Sequence, residues 1–191
     1  AKKMNLSFAQ WSNVKFTKTT FSSFTSDPIS FDNSVFQDVV FDSCTFQSTA
    51  RVVFSKFEFM NVMFLNCQFG SDALFELGQM TQTFFNNTIF SASPSAKTPT
   101  PNTAVTFKSV TVRNAFFTGC NIVNPLFFQA AAVANMQVNK TNIGAMWCHD
   151  VPQKNKDPKL FSGFNDTSFD RVQFGGKVTC DRTTWKGMAI T

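Results

Sequence analysis

The sequence predicts an all-β, four-sided coil, and three observations predict it. Phenylalanine recurs every fifth residue, most clearly at Phe31, Phe36, Phe41 and Phe46 and again at Phe54, Phe59, Phe64 and Phe69. Two residues before most of these stands a small or β-branched residue: Ser34, Val39, Cys44, Val62 and Cys67. In the first part of the chain the register then breaks after every fourth large residue, after Phe21, Phe46, Phe69 and Phe90. A period of five matches neither the helical 3.6 nor the strand 2.0. It fits a coil in which five residues form one side, and four sides plus a spacer form one turn of about twenty residues.

The units follow in order. The first turn is centred on Leu6, Trp11, Phe16 and Phe21, with Met4, Ala9, Val14 and Thr19 as the partners two residues earlier. After the two phenylalanine turns come Phe75, Met80, Phe85 and Phe90, then Phe107, Val112, Phe117 and Ile122. The pattern continues more loosely through Phe127, Val133, Val138 and Ile143, then Cys148, Phe164, Phe169 and Phe174, and closes with Cys180, Trp185 and Ile190. Stacked turns place same-side centres above one another at about 4.8 Å, a spacing that suits packed aromatic rings. The remaining residues of each unit face outward and are mostly Ser, Thr, Asn, Gln, Asp and Lys. Phe57 and Pro125 stand where a small residue is expected, so local distortion or a misaligned register is expected there. About eight turns give a rod roughly 35–40 Å long, and one domain spanning 1–191 accounts for the whole chain.

The units Ser34-Val35-Phe36, Cys44-Thr45-Phe46, Cys67-Gln68-Phe69 and Thr167-Ser168-Phe169 resemble the pentapeptide-repeat family. The resemblance covers nearly all the chain outside its loops. It implies a right-handed quadrilateral β-helix, a pentapeptide-repeat solenoid of about eight coils with two longer loops. The chain departs from the family habit of Ala-Asp/Asn-Leu units by using Phe with few Asp. Some members of the family mimic DNA and protect DNA gyrase. Mimicry of a phosphate array needs an anionic rod, whereas this chain has 17 Lys and Arg against 12 Asp and Glu, which argues against DNA mimicry. The family also occurs in bacteria, among secreted effectors and in the thylakoid lumen.

Composition agrees with a dry interior: 26 Phe and no Tyr, whose buried hydroxyl would need a partner. Cys44, Cys67 and Cys120 fall at the small inward position on one side and read as core fillers. Cys148 and Cys180 fall at centre positions of a single ladder, which leaves a disulfide between them open. Aromatics committed to the core leave no platform for stacking nucleic-acid bases. The most apolar stretch, Pro125 to Val133, is too short to span a bilayer, and no transmembrane segment or signal peptide is visible. The start at Ala1-Lys2-Lys3 is compatible with a processed chain or with an artificial boundary.

No catalytic, cofactor or metal site emerges. His149 lies between Cys148 and Asp150, but adjacent residues diverge, while catalysis needs groups that converge. Glu58 and Glu76 take outward positions, and no paired carboxylates, phosphate loop, HExxH or CxxC is present. Gly175-Gly176 reads as an extra corner residue before Cys180. The sequons at Asn5, Asn86, Asn139 and Asn165 are weak signs of secretion in a chain rich in Asn, Ser and Thr. Outward threonines such as Thr17 and Thr20 do not recur in matching places, which argues against an ice-binding face.

Function is therefore expected on the surface and in two excursions. Residues 91–104 are rich in Pro, Ser and Thr, and residues 149–161 carry a cationic tip; loops on a rigid scaffold commonly hold recognition. The candidate partner-binding residues are Lys97, Lys154, Lys156, Lys159 and Trp185. The final stretch from Trp185 to Thr191 supplies no capping helix, so a partner is expected over that tip. The expected function is a non-catalytic structural or protein-interaction module docking as a rigid rod in a larger assembly, in one form a lumenal subunit peripheral to a photosynthetic membrane complex. The alternative is a secreted effector or surface-binding module that recognises a host protein or glycan. Location is expected to be extracytoplasmic, with the thylakoid lumen as its specific form.

Overall fold

The computed structural model describes residues 5–23, 27–48, 50–91, 104–149, 163–181, 184–186 and 189–190, with backbone alone at Asn165, Asp181, 184–186 and Ala189. Regular structure among the described residues is entirely β-strand, in parallel ladders arranged as three sheets. Three sheets make four sides because the longest strands turn a corner. Val35–Asp42, Glu58–Leu65, Gln79–Asn86 and Thr111–Thr118 each carry two inward centres, such as Phe36 and Phe41, and so contribute to the second and third sides together. The first side is the sheet running from Ile29–Ser30 through Arg51–Ser55 to Val178–Asp181. The fourth runs from Thr20–Ser23 through Thr45–Ser48 to Gln173–Phe174. The result is the quadrilateral β-helix that the five-residue spacing predicts.

Strand register stacks the phenylalanines as expected. On the first side Phe31, Phe54, Phe75, Phe107 and Phe128 follow one another with ring centroids 4.6–5.1 Å apart and planes within 12°. On the third side Phe16, Phe41, Phe64, Phe85 and Phe117 do the same at 4.8–5.1 Å. On the fourth, Phe21, Phe46, Phe69 and Phe90 stack at 4.5–4.9 Å. Across the interior, rings of neighbouring sides meet edge to face, as Phe31 meets Phe36. Fully burying one such ring stabilises the fold by about 2–3 kcal/mol, and edge-to-face pairs add to that.

Two positions correct the sequence register. The centre on the first side after Phe107 is Phe128, and Phe127 pairs with Thr106 in the outward register. The small inward position before it is accordingly Leu126 and not Pro125. The shift by one residue restores a spacing of five to Val133.

Phe57, also flagged as anomalous, is buried at the inward position. The next coil compensates with Gly78, where a Cβ would lie 2.4 Å from the Phe57 ring and 2.7 Å from its carbonyl oxygen. The extra ring packs against Phe59 of its own coil, with centroids 4.6 Å apart. Phe36 and Phe59 meet at 87°, whereas the phenylalanine pairs of the other three sides stack nearly parallel.

The small inward residues do more than fill space. Between the third and fourth sides, thiols and hydroxyls donate to the carbonyl of a centre one coil below. Cys44 Sγ reaches Phe16 O at 3.4 Å, Cys67 Sγ reaches Phe41 O at 3.2 Å, Thr88 Oγ1 reaches Phe64 O at 3.0 Å, and Cys120 Sγ reaches Phe85 O at 3.2 Å. Burial pushes the Cys67 and Cys120 thiols up to about 12 and about 11, so both stay protonated and able to donate.

The equivalent column between the second and third sides lacks this arrangement. Its Thr83 is fully buried, and Oγ1 has no partner. An orphaned buried hydroxyl costs about 1–3 kcal/mol. Thr83→Val is therefore expected to raise stability by about 1 kcal/mol in urea unfolding, and a loss of stability would show that the hydroxyl is satisfied in solution.

Corners are left-handed. Among the described residues, nineteen non-glycines have φ between 48° and 60°, and seven of them are Asn, the residue that tolerates this region best. The asparagines also form lateral ladders, with Asn61 Nδ2 donating to Asp38 Oδ1 at 2.8 Å and Asn135 Nδ2 to Asn114 Oδ1 at 3.2 Å.

The corner pattern also explains three sequons. Asn86-Asn87-Thr88, Asn139-Lys140-Thr141 and Asn165-Asp166-Thr167 each place a left-handed corner before a buried threonine. Their spacing follows from the coil.

Candidate functional site

The predicted contact residues are only partly placed. Lys97, Lys154, Lys156 and Lys159 lie outside the described residues, as do most of the 91–104 and 149–161 excursions. The backbone of Trp185 pairs with Phe164 on the second side, and its side chain is outside the description. His149 and Cys148 are neighbours on Met146–His149. Cys148 continues the inward column above Phe128, while His149 pairs with Gln129 in the outward register, so the two side chains diverge as expected. Among the described residues no group of three or more His, Cys, Asp or Glu side chains is close enough to hold a metal ion. No helix among them is long and apolar enough to cross a membrane.

Charge is distributed unevenly. The described side chains include nine Lys or Arg and nine Asp or Glu, so this part of the rod is neutral. The surplus of +5 falls on the remaining positions, among them Lys97, Lys154, Lys156 and Lys159.

The outer surface holds aromatic residues that the sequence pattern assigned to the core or passed over. On the third side, Val40, Met63, Phe84 and Phe116 form one outward rank in register. Phe84 and Phe116 stack there at 4.8 Å and 7°. On the first side, Phe127 and Trp147 stack outward at 4.8 Å and 9°. These residues correct the expectation that every stacking platform is used up inside, and they are exceptions on a mostly polar exterior. The signal was present in Phe84-Phe85, Phe116-Phe117 and Phe127-Phe128. In a strand, adjacent residues face opposite ways, so one ring of each pair must face out.

A groove of about 570 Å³ crosses the fourth side, lined by Asn121, Asn142 and Gln173 and floored beside Val123, Gly144 and Gly175. The amides are register partners in one rank. At Gly144 a Cβ would lie 2.4 Å from Val123 O, and at Gly176 one would lie 2.7 Å from Gly144 O. The glycine pair before Cys180 thus belongs to a corner where strands approach closely.

Where the fourth side returns to the first, Asp72 is buried at 8% exposure beside Asn124, whose Nδ2 lies 3.4 Å from Asp72 Oδ1. Ser71 Oγ and Asn124 Oδ1 have no partner. Burial pushes the Asp72 carboxyl up to about 6, against a smaller opposing pull from Arg51 on the adjacent strand. A carboxyl raised in the folded state binds its proton more tightly there than in the unfolded chain. Its contribution to stability is full below pH 4 and is lost as pH rises through 6. Stability is expected to increase by about 1–2 kcal/mol between pH 7 and pH 5. Urea titrations of the wild type and of Asp72→Asn at both pH values check this; an equal pH response in the two proteins would contradict it.

Together these features define a four-sided parallel β-helix with a dry aromatic interior and a patterned outer surface. No family model matches the chain, and no curated protein matches it. Among solved structures the chain is similar to QnrB1, a plasmid-mediated fluoroquinolone resistance protein, at 10% identity and a TM-score of 0.39, over 99% of this chain and 90% of that one. It is also similar to HetL, a pentapeptide repeat protein involved in heterocyst differentiation regulation from the cyanobacterium Nostoc sp. strain PCC 7120. That match has 7% identity and a TM-score of 0.19, over 92% and 87% of the two chains.

Proposed function

We propose that the chain is a non-catalytic interaction module, a rigid rod forming one domain that docks in a larger protein assembly. The observation that carries this reading is the division of the molecule. Four of its five cysteines and most of its phenylalanines are buried, while the described surface is electrically balanced and bears outward aromatic stacks. The partner contacts are Lys97, Lys154, Lys156 and Lys159 in the excursions, together with Trp185. In its specific form the rod is a lumenal subunit peripheral to a photosynthetic membrane complex. The rise in stability expected on acidification suits such a compartment.

The groove on the fourth side favours a second reading, a secreted surface-binding module for a glycan. Its rank of uncharged amides suits vicinal hydroxyls, which need paired donors and acceptors. The two readings separate in one experiment. Lys154→Glu, Lys156→Glu and Lys159→Glu, made together, should abolish capture of the chain by its native assembly while leaving the thermal midpoint unchanged. Undiminished capture would reject these lysines as contacts. Saturable binding to a glycan array, lost in Asn142→Ala, would favour the second reading.

A further inference from the structure

Cys148 and Cys180 are register partners on adjacent strands of the first side, Met146–His149 and Val178–Asp181. Cys148 sits directly above Phe128 in the inward column, and the ladder carries Cys180 above Cys148. In-register neighbours in a parallel sheet lie about 4.8 Å apart, inside the range of about 4.4–6.8 Å that a disulfide spans between Cα atoms. The two thiols are within hydrogen-bonding reach of each other. Cys148 is buried and Cys180 is exposed, so one member of the pair is open to solution.

A second pair in the same molecule shows that register alone is not enough. Cys44 and Cys67 also occupy adjacent coils of one column. Each of those thiols points at a backbone carbonyl, Phe16 O or Phe41 O, and each is 1% exposed. They share the spacing of Cys148 and Cys180 but have neither the sulfur-to-sulfur hydrogen bond nor the access.

We propose that Cys148 and Cys180 form a reversible disulfide that fastens the last coil to the rod beneath it. The oxidant is a small-molecule disulfide such as oxidised glutathione. The Cys180 thiolate attacks one of its sulfurs and releases one glutathione thiolate, leaving a mixed disulfide on Cys180. Cys148 then loses its proton to solvent and attacks the Cys180 sulfur, expelling the second glutathione. Two protein thiols are oxidised and one external disulfide is reduced to two thiols, so electrons balance. Cys180 acts first because it is exposed while Cys148 is buried; burial raises both thiols, but the hydrogen bond from Cys148 opposes the rise at Cys180, whereas Cys148 is held far above the ordinary thiol range.

The bridge closes a loop over residues 149–179, which contains Lys154, Lys156 and Lys159. Oxidation therefore encloses the cationic excursion, together with the coil that follows it, in a covalent loop. In-register parallel neighbours must draw their Cβ atoms inward from about 4.8 Å to about 3.8 Å to form the bond. That strain makes the bridge readily reducible, as regulatory disulfides are.

The test uses the purified full chain incubated with oxidised glutathione, followed by thiol counting under denaturing conditions, intact mass and peptide mapping. The expected result is loss of two of the five thiols without a retained glutathione, a cross-linked peptide joining Cys148 to Cys180, and full reversal by dithiothreitol. The thermal midpoint of the oxidised wild type should rise by roughly 5–10 °C, and Cys180→Ser should show neither the cross-link nor the rise. Five thiols persisting in excess oxidant, a glutathione adduct stalled on Cys180, or a cross-link joining Cys44 to Cys67 would each overturn the proposal. Peptide mapping of the wild type keeps the test decisive even if the serine variant folds poorly.

Discussion

Phe64→Ala is expected to destabilise the protein by about 3–5 kcal/mol, the cost of removing a fully buried phenylalanine and leaving a cavity. Phe64 is 0% exposed and stacks on Phe41 and on Phe85, both at 4.9 Å. It also meets Phe46, Phe59 and Phe69 across the interior at 5.7–6.1 Å. Truncation removes two stacking contacts and three lateral ones at once, in the middle of a column. In a chain of this size the thermal midpoint should fall by roughly 6–20 °C. Phe84→Ala is the matched control. Phe84 lies two strands from an end of its rank but faces outward, stacked on Phe116 alone among the rings, and its loss should cost about 1 kcal/mol. Equal costs for the two variants would contradict the assignment of inward and outward faces.

Gly78→Ala should be nearly as damaging, at about 2–4 kcal/mol, because overpacking here meets backbone as well as side chain. The added methyl would sit 2.4 Å from the Phe57 ring and 2.7 Å from Phe57 O. That oxygen accepts the Gln79 N–H at 2.9 Å, so moving it loosens the ladder between the two coils. Phe57→Ala in the same chain removes the ring clash and leaves the carbonyl clash. A double-mutant cycle should therefore show Gly78→Ala costing less in the Phe57→Ala background, with a coupling of about 1–2 kcal/mol. Additive costs in urea unfolding would mean that Phe57 and Gly78 are not a matched pair.

The sequence made the interior legible because a column repeats its chemistry at every coil. The beat from Phe31 to Phe69 sufficed to assign sides, stacking partners and the inward cysteines. It failed where two aromatics stand together. At Phe127-Phe128 both residues satisfy a centre, and only the restored spacing to Val133, or the ladder itself, decides between them. The same ambiguity hid Phe84 and Phe116 as surface residues. Left-handed corners left a fainter trace, most often an Asn, Asp, Ser or Lys two residues after a centre of the first three sides, because several residue types tolerate that backbone at modest cost. Phe57 looked like an error in the pattern until Gly78 was found opposite it. The pairing is invisible along the chain, since the two residues meet only through the stacking of coils.

Much less of the candidate site was legible. Nothing in the local sequence marks Asp72 as buried. Its environment is assembled from Asn124, more than fifty residues away, and from Arg51 on the coil below. The groove on the fourth side likewise arises from Gly144 and Gly175 in successive coils, which remove side chains from one outward rank. The lysines of the excursions stood out by charge, and the described part of the rod sharpens that signal, because its own charges cancel.

The claim that the rod works by docking is tested most directly by native size separation of an extract from cells that make the protein, with the chain followed by antibody. The account predicts that it migrates in a particle far larger than its own 21.3 kDa and leaves that particle when its charged contacts are screened at high salt. Migration of the whole pool as a free monomer at low salt would contradict it.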